Sequence, residues 1–196
     1  MSDSVTTVFA VETRAALAGV HTGRFGASGG DAGISLSALP EGFVLHLLAK
    51  PFDKGGETRA EAIAARFGAR LRPTAPGQWY VAGNTTLSSS DMQALVAEFG
   101  ADIAVSDQSH GRVRIAVSGR DVEVMLAKLM AADLALSAFP VEHGTTLFAG
   151  HVSVHAQRVA SDAFELMVLR GFAVDLFESL VQASLEFGVE CRVQPA

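Results

Sequence analysis

The sequence contains a single cysteine, Cys191, and no apolar run long enough to cross a membrane. One cysteine excludes a disulfide within the chain, and a spanning helix needs roughly 18 or more consecutive apolar residues. Asp3 places negative charge where an export signal carries positive charge. We therefore expect a cytoplasmic protein with no membrane-spanning helix.

Charged residues are also scarce, at 18% of the chain against about 25% in an ordinary soluble domain. The net charge is −6 and the 15 basic residues are scattered, which argues against a nucleic-acid partner. Hydrophobic residues make up 49% of the chain, and the mean hydropathy is +0.30. Such a composition indicates surface that other protein chains cover, although a slightly larger core would also account for it.

The first 33 residues lack a regular hydrophobic period and are rich in glycine from Gly19 onward. Because glycine raises chain entropy, residues 1–33 are predicted to form a flexible arm whose order depends on what it contacts. The glycines do not have the G-x-G-x-x-G spacing of a dinucleotide-binding loop, and no strand is predicted before them. A phosphate site is therefore not expected there.

The clearest pattern runs from residue 107 to residue 134. Apolar residues alternate with polar or small ones over 112–117, as in a half-buried strand. They then recur at helical spacing over 122–130, and Ser118 stands three residues before Asp121, which is the spacing of an N-terminal capping box. The pattern predicts a strand followed directly by a helix.

The other predicted elements come in an order that repeats. Strands are predicted at 34–38, 43–49, 78–82, 103–105, 147–157 and 164–169, and helices at 58–67, 91–99 and 172–187. Strands and helices mixed through hairpin-length links predict an α+β fold of antiparallel sheets with helices on one face. One folded domain is expected over 34–196, made of two similar halves, 34–100 and 101–188, and a short C-terminal tail.

Two details suggest that these halves, each read as β-β-α-β-(β)-α, are a duplication. Glu98-Phe99-Gly100 and Glu186-Phe187-Gly188 close the second helix of each half, and each helix follows a strand that opens with Trp79 or Phe164. Gly100 is expected to end its helix in the left-handed conformation. The last helix is apolar over an arc wider than one core needs, so we expect it to pack against a second protein surface.

The loop before the 112–117 strand contains the residue types of a nucleophilic triad in Asp107, Ser109 and His110. Neighbouring loop residues point in different directions and seldom form a triad. The favoured alternative is a turn in which Asp or Ser satisfies backbone N–H groups. Arg112 completes this motif, and Asp133 is expected either to reach the same cleft as Asp107 or to be a turn residue.

The histidines do not predict a metal site. His151 and His155 lie on one face of the predicted 147–157 strand, but four strand residues separate them by about 13 Å, too far to share one zinc ion. His46 lies within an apolar strand and is interpreted as a hydrogen-bonded core or edge residue. The sequence contains no complete catalytic constellation.

From Asp107 to Leu134, and again from Phe164 to Gly188, the chain resembles the gamma subunit of heterotetrameric sarcosine oxidase. The motifs that carry the resemblance are Asp-x-Ser-His-x-Arg at 107–112, Val117-Ser118-Gly119, Leu126-Ala127-Lys128-Leu129, Asp133-Leu134, Phe139-Pro140, Arg170-Gly171-Phe172-Ala173 and Glu186-Phe187-Gly188. The likeness covers more than the C-terminal half of the chain. It extends more weakly to Gln78-Trp79-Tyr80-Val81 and to the glycine-rich segment.

The same loop, strand and helix resemble the folate-binding domain of glycine-cleavage aminomethyltransferases. In that family an Asp-x-Ser-His loop precedes a strand and a Ser-Gly-Pro turn, and an Asn-Asp pair carries an aspartate beside the folate. Here Arg120 stands in place of the proline and Ala132-Asp133 in place of the pair. The resemblance implies a folate-binding-domain-like fold of two similar halves.

The resemblance also implies a function. This chain would be a cofactor-free subunit, not catalytic alone, whose partners are larger flavoprotein subunits and a small zinc-binding subunit. Those partners would carry FAD, FMN, NAD and tetrahydrofolate, and would oxidise sarcosine to glycine with release of formaldehyde or methylene-tetrahydrofolate. The alternative is a stand-alone folate-binding aminomethyltransferase-like protein that uses Asp107 or Asp133; a small-ligand sensor is neither supported nor excluded.

Overall fold

The computed structural model describes residues 14–27 and 29–194. That part of the chain forms four α-helices and eleven strands, and the strands make up two sheets. The strands are β1 (Gly23–Phe25), β2 (Ile34–Ala38), β3 (Phe43–Ala49), β4 (Leu71–Ala75), β5 (Gln78–Gly83), β6 (Ile103–Asp107), β7 (Arg112–Ser118), β8 (Gly144–Ala149), β9 (Val152–Ala160), β10 (Ala163–Leu169) and β11 (Val189–Val193). The helices are α1 (Gly56–Arg66), α2 (Ser89–Phe99), α3 (Val122–Ala127) and α4 (Ala173–Ser184).

The small sheet has the strand order β4-β5-β3-β6, and every neighbouring pair in it is antiparallel. Alternate residues of β3 point to one face, where Phe43, Leu45 and Leu47 are buried. Helices α1 and α2 cover this face through Ile63 and Leu95. Removing such side chains from water is the main force that holds helix to sheet.

The large sheet has the order β1-β11-β2-β7-β10-β9-β8, in which β11 and β2 are parallel and the other pairs antiparallel. Helices α3 and α4 cover one face of this sheet, and Leu126, Phe177 and Leu180 pack with strand residues in its core. The opposite faces of the two sheets meet, where Val44, Tyr80 and Ala82 of the small sheet contact Met167 of the large one.

The predicted class is confirmed, since the fold is α+β with mostly antiparallel sheets and helices on one face of each. Both helix layers lie outside and the two sheets lie inside. No helix in the part of the chain that the structure describes has the length and apolarity needed to span a bilayer.

The strand predicted over 147–157 is two strands, β8 and β9. Gly150 has a φ of 60° and closes a tight turn, so Val152 pairs back on Ala149. The sequence pattern missed the reversal because apolar residues alternate on both sides of it. His151 lies in the turn and His155 in β9, so the two histidines do not share a strand face.

The helix predicted over 122–130 ends at Ala127, and the capping box predicted at Ser118 and Asp121 is wrong. Ser118 is the last residue of β7, where its backbone pairs with Ser35 of β2 and Ala163 of β10. Pairing in the sheet therefore extends the strand through the residue that would have capped the helix.

A capping box does form at α2. The hydroxyl of Ser88 accepts from the backbone N–H of Asp91 at 3.1 Å, and the Asp91 carboxylate accepts from the N–H of Ser88 at 3.0 Å. At the other end of α2, Gly100 is right-handed with a φ of −62°, so the predicted left-handed ending is wrong. A following turn, in which Asp102 N–H donates to Phe99 O at 2.9 Å, leads directly into β6.

The ends of the chain contribute to the large sheet. Within the arm predicted over 1–33, Gly23–Phe25 form β1 beside β11, and Leu17 is buried in the large core. Residues 1–13 and 28 lie outside the described residues. The predicted C-terminal tail is wrong for 189–193, because Val189 and Cys191 are buried in β11 between β1 and β2.

The two sheets divide the chain differently from the predicted halves. Strand β2, placed in the first half, joins the large sheet, whereas β6, placed in the second half, joins the small sheet. Each strand pairs outside its predicted half because hydrogen-bonding partners in a sheet need not be neighbours in sequence.

Candidate functional site

The loop between β6 and β7 forms a hydrogen-bonded turn. The Asp107 carboxylate accepts from the backbone N–H of Ser109 at 2.9 Å and from its hydroxyl at 2.5 Å. The Ser109 hydroxyl oxygen also accepts from the N–H of Val44 at 3.1 Å. These bonds satisfy the backbone N–H groups of Ser109 and of Val44 in β3, as side chains of an aspartate or serine turn do, so the turn interpretation is the one that the geometry supports.

This turn forms one wall of a cleft of about 510 Å³ between the two sheets. Asp107, Ser109 and His110 all line the cleft, together with Arg14 and Leu87. Its wall thus carries a carboxylate, an imidazole and a guanidinium beside apolar surface, a combination that suits a small polar ligand. His110 is exposed.

An ion pair that the sequence analysis did not single out closes one side of this cleft. Arg170 donates to Glu41 at 2.7 Å and to the carbonyl of Arg14 at 2.5 Å, and the same Glu41 oxygen accepts from the N–H of Ala16 at 2.6 Å. The backbone N–H of Arg170 donates to Gly111 O at 2.9 Å. Four chain segments distant in sequence are joined at this point.

The structure places the other two candidate residues elsewhere. Arg112 lies between the sheets with its guanidinium 4.7 Å from the centre of the Tyr80 ring. Asp133 is exposed after α3, and its carboxylate accepts from the N–H of Ala135 at 3.0 Å. Of the alternatives weighed for Asp133, the turn residue is the one that this bond supports, and Asp133 does not line the cleft that Asp107 lines.

A buried ion cluster lies between the sheets. Arg72 of β4 binds Glu165 of β10 through two pairs of atoms, each 3.0 Å apart. Arg114 of β7 lies 3.6 Å from the same carboxylate and donates to Asn84 Oδ1 at 2.7 Å. Burial is the main cause that lowers the pKa of Arg114, and the Glu165 carboxylate opposes it. One carboxylate thus contacts two guanidinium groups across the sheet interface.

His155 lies beside this cluster, and its Nε2 is 2.8 Å from the carbonyl oxygen of Pro73. Burial lowers the pKa of His155, and the positive charge of Arg72 adds to the effect, while the bond to Pro73 opposes it. Burial also lowers the pKa of His46 on β3. Both imidazoles are therefore held in the neutral form at the sheet interface.

We expect the free energy of unfolding to fall as the pH drops below about 6.5. The folded chain resists protonation of His155 and His46, whereas the unfolded chain accepts it near the ordinary value, so acid favours unfolding. Each histidine adds a slope of up to about 1.4 kcal/mol per pH unit between its unfolded and folded pKa. Urea titrations at several pH values would measure the slope.

His155→Gln provides the sharp test, since its amide can still donate to Pro73 O. In this variant the free energy of unfolding should depend less steeply on pH than in the wild type. His151→Gln, on the exposed turn, should leave this pH dependence unchanged. An equal effect of both substitutions would contradict the assignment to the buried imidazole.

The cleft does not contain a nucleophilic triad. The hydroxyl of Ser109 donates to Asp107 rather than to an imidazole, so the histidine that accepts the proton in a triad is not in place. Among the described residues there is also no group of three or more His, Cys, Asp or Glu side chains arranged to hold a metal ion.

A second concave surface, here called the α4 groove, lies between α4 and the segment 14–25 and has a volume of about 670 Å³. Its apolar lining includes Ala16, Val20, Phe25, Val174, Phe177 and Val181. Val174 is 41% exposed, and Phe172 and Leu169, which precede it in sequence, are exposed as well. The apolar arc predicted for the last helix therefore extends beyond the part that its own core covers.

Comparisons with known proteins agree on the fold. The model of the family described as "GCVT N-terminal domain" matches residues 54–192. A structure of heterotetrameric sarcosine oxidase from Corynebacterium sp. U-96 contains a chain that is 20% identical, with a TM-score of 0.70, over 83% of this chain and 88% of that one. No curated protein sequence matches the chain significantly.

Glycine cleavage system aminomethyltransferase T from Bartonella henselae is also similar, at 17% identity and a TM-score of 0.58. The match covers 82% of this chain and 48% of the aminomethyltransferase. The chain thus spans about half the length of that enzyme. At these identities the likeness establishes a shared fold.

Proposed function

The chain belongs to the GCVT N-terminal domain family, and from this premise we propose that it is the non-flavin gamma subunit of a heterotetrameric sarcosine oxidase-type complex. Its role would be to support the assembly in which partner subunits demethylate sarcosine oxidatively to glycine, yielding formaldehyde or methylene-tetrahydrofolate. Larger flavoprotein subunits and a small zinc-binding subunit would carry FAD, FMN, NAD and tetrahydrofolate. The complex would be cytoplasmic, where a single buried Cys191 needs no disulfide partner.

The observation that carries this proposal is the extent of the structural match. The similarity to a chain of heterotetrameric sarcosine oxidase covers most of both chains, so the two have nearly the same length. The aminomethyltransferase continues well beyond the matched part. The higher TM-score and the fuller coverage therefore favour the sarcosine oxidase chain over the aminomethyltransferase as the counterpart of this one.

The exposed apolar surface supports the same role. Interfaces that persist in assemblies bury apolar cores that an isolated subunit leaves open. The α4 groove supplies such a surface, and its lining residue Val174 and the nearby Phe172 are not covered by the described part of this chain. We place a larger partner subunit on this groove.

We also propose that the two sheets derive from one duplicated β-α-β-β-α-β unit. The small sheet uses β3, α1, β4, β5, α2 and β6 in the order β4-β5-β3-β6. In the large sheet, β7, α3, β9, β10, α4 and β11 give the strand order β9-β10-β7-β11 once the inserted β2 and the added strand β8 are omitted. Trp79 in β5 and Phe164 in β10, singled out by the sequence analysis, then occupy equivalent strands.

Co-expression with the larger subunits of a sarcosine oxidase-type complex tests the assembly role. The wild-type chain should co-purify with them, and alone it should associate with itself or be poorly soluble. Val174→Glu should reduce co-purification by at least about 10-fold, because truncation or charge at an interface core commonly costs this much. Size-exclusion chromatography with subunit quantification would measure the loss.

The matched control is Val96→Glu, which introduces the same charge at a 50% exposed valine on α2, far from the α4 groove. It should leave assembly unchanged. A stable wild-type monomer that ignores the larger subunits would contradict the proposal. If such a monomer bound tetrahydrofolate with micromolar affinity, and Asp107→Asn in the cleft abolished binding, the folate-binding alternative would replace it.

A further inference from the structure

A short turn between β3 and α1 carries the most exposed aromatic side chain of the described residues. The N–H of Asp53 donates to the carbonyl of Lys50 at 3.1 Å, which places Pro51 and Phe52 at the centre of a four-residue turn. Phe52 has a φ of 63°. Its side chain is 101% exposed, so the ring gains no burial from the fold.

The backbone conformation of Phe52 is unfavourable for its residue type. A turn with proline at its second position and a positive φ at its third normally has glycine there, because a Cβ in the left-handed region crowds the backbone. A bulky aromatic residue in this region is an outlier that the surroundings must hold in place. The fold thus maintains strain at Phe52, a residue that remains fully exposed to solvent.

Several contacts hold this turn in one conformation. The Asp53 carboxylate accepts from the N–H of Gly55 at 2.9 Å and forms an ion pair with Arg59 on α1. The N–H of Gly56 donates to Asp53 O at 3.3 Å, and next to the turn Ala49 N–H donates to Gly77 O at 2.9 Å. An aromatic group on a fixed backbone loses little entropy when it binds, which favours its use as an anchor.

The charges around Phe52 indicate the chemistry of its partner. Lys50 and Lys54 flank the turn, are exposed, and form no ion pair with the described residues. Asp53 is already paired with Arg59, and Glu57 follows on the first turn of α1. The Phe52 ring between the ammonium groups of Lys50 and Lys54 is complementary to an apolar pocket bordered by carboxylates.

We propose that Phe52 is an anchor residue that inserts into an apolar, acid-rimmed pocket of a larger partner subunit, at an interface separate from the α4 groove. This inference rests on the proposed assembly role and adds a second contact to it. The two surfaces lie on opposite layers of the fold, since Phe52 leads into α1 on the small sheet and the groove lies along α4 on the large sheet. Partner subunits would therefore contact this chain on both sides, at the Phe52 turn and at the α4 groove.

Phe52→Gly removes the aromatic ring and the backbone strain at the same time, so a loss of binding cannot be attributed to a loss of stability. Glycine relieves the backbone strain, so the free variant should be at least as resistant to urea as the wild type. Its affinity for the larger subunits should nevertheless fall by at least about 10-fold, as for a truncated interface aromatic. Lys50→Glu/Lys54→Glu should also weaken binding and reduce its dependence on salt.

Phe148→Ala is the matched control, because Phe148 is 63% exposed on the edge strand β8; it should bind as the wild type does. Unchanged affinity of Phe52→Gly, with wild-type assembly intact and Val174→Glu defective, would overturn the anchor and leave the assembly role standing. Failure of the wild type to bind would overturn both.

Vesicles of phosphatidylcholine and phosphatidylserine test whether Phe52 binds a lipid surface instead of a protein. If the wild type bound these vesicles, Phe52→Gly did not, and subunit binding were unchanged, a lipid surface would replace the protein partner.

Discussion

Replacement of Glu165 by leucine should lower the free energy of unfolding by about 3–5 kcal/mol. Glu165 is the carboxylate that binds both Arg72 and Arg114 between the sheets. Its removal leaves two buried guanidinium groups without a counter-charge, in an environment where water cannot replace it. Urea denaturation at neutral pH would measure the loss, and we expect the midpoint of the transition to fall to a clearly lower urea concentration.

The control for this effect is Glu190→Leu. Glu190 pairs with Arg192 at 2.7 Å, but the two side chains are 44% and 62% exposed, and solvent-exposed pairs contribute about 0–1 kcal/mol. The same chemical change should therefore have little effect there. Equal losses at Glu165 and Glu190 would contradict the view that burial makes the inter-sheet carboxylate important.

A triple substitution tests whether the cluster contributes to stability or only fixes the relative orientation of the two sheets. If Arg72, Arg114 and Glu165 are replaced together by apolar residues of similar volume, much of the stability lost in Glu165→Leu should return, because no buried charge remains. The variant would lose the polar contacts that fix how the sheets face each other, such as the bond from Arg114 to Asn84. A triple variant as unstable as the single one would show that packing, rather than charge, limits this interface.

The elements that could be predicted from sequence are those whose own side chains determine one buried face. Strands β3, β7 and β10 and helix α4 follow from local alternation or helical spacing, and their bounds differ by only a few residues from those expected. Their packing partners reinforce a preference that the segment already has. The α+β class follows from the order of such elements.

The missed elements depend on partners distant in sequence. Strand β4 contains Arg72 and Pro73 and has little apolar alternation of its own; it forms because β5 offers backbone partners and Glu165 offers a counter-charge. Strand β11 is short and follows a helix, and it is fixed by β2 on one side and β1 on the other. Neither condition can be seen within a local window of sequence.

The candidate site shows the same division. The turn of Asp107 and Ser109 is local, since its bonds join residues two apart, and residue type alone favoured it. The pair of Glu41 and Arg170 joins residues 129 positions apart. Arg170 could be located only through the pairing of β10 with β7, which sets Leu169 opposite Arg112. Long-range strand register therefore determines which side chains meet in the cleft.

Gly119→Ala should destabilise the fold by about 3–5 kcal/mol, through backbone strain and overpacking together. Gly119 follows β7 with a φ of 134°, and a Cβ there would overlap the carbonyl oxygen of Gly33 and lie 2.9 Å from its carbonyl carbon. Gly33 cannot easily retreat, because its N–H donates to Phe187 O at 2.9 Å. Any shift would disturb the start of β2 and its pairing with β11.

Gly150→Ala is the matched comparison, since Gly150 also has a positive φ, of 60°, but a Cβ there meets no atom within 4 Å. Only the cost of the left-handed conformation remains, about 1–2 kcal/mol. Urea denaturation of the two variants would isolate the close approach at Gly119. If both lost the same stability, the contact between the β7 turn and Gly33 would not constrain the fold. A larger loss at Gly119 would show that the close approach of the β7 turn to Gly33 constrains the junction of β7, β2 and β11.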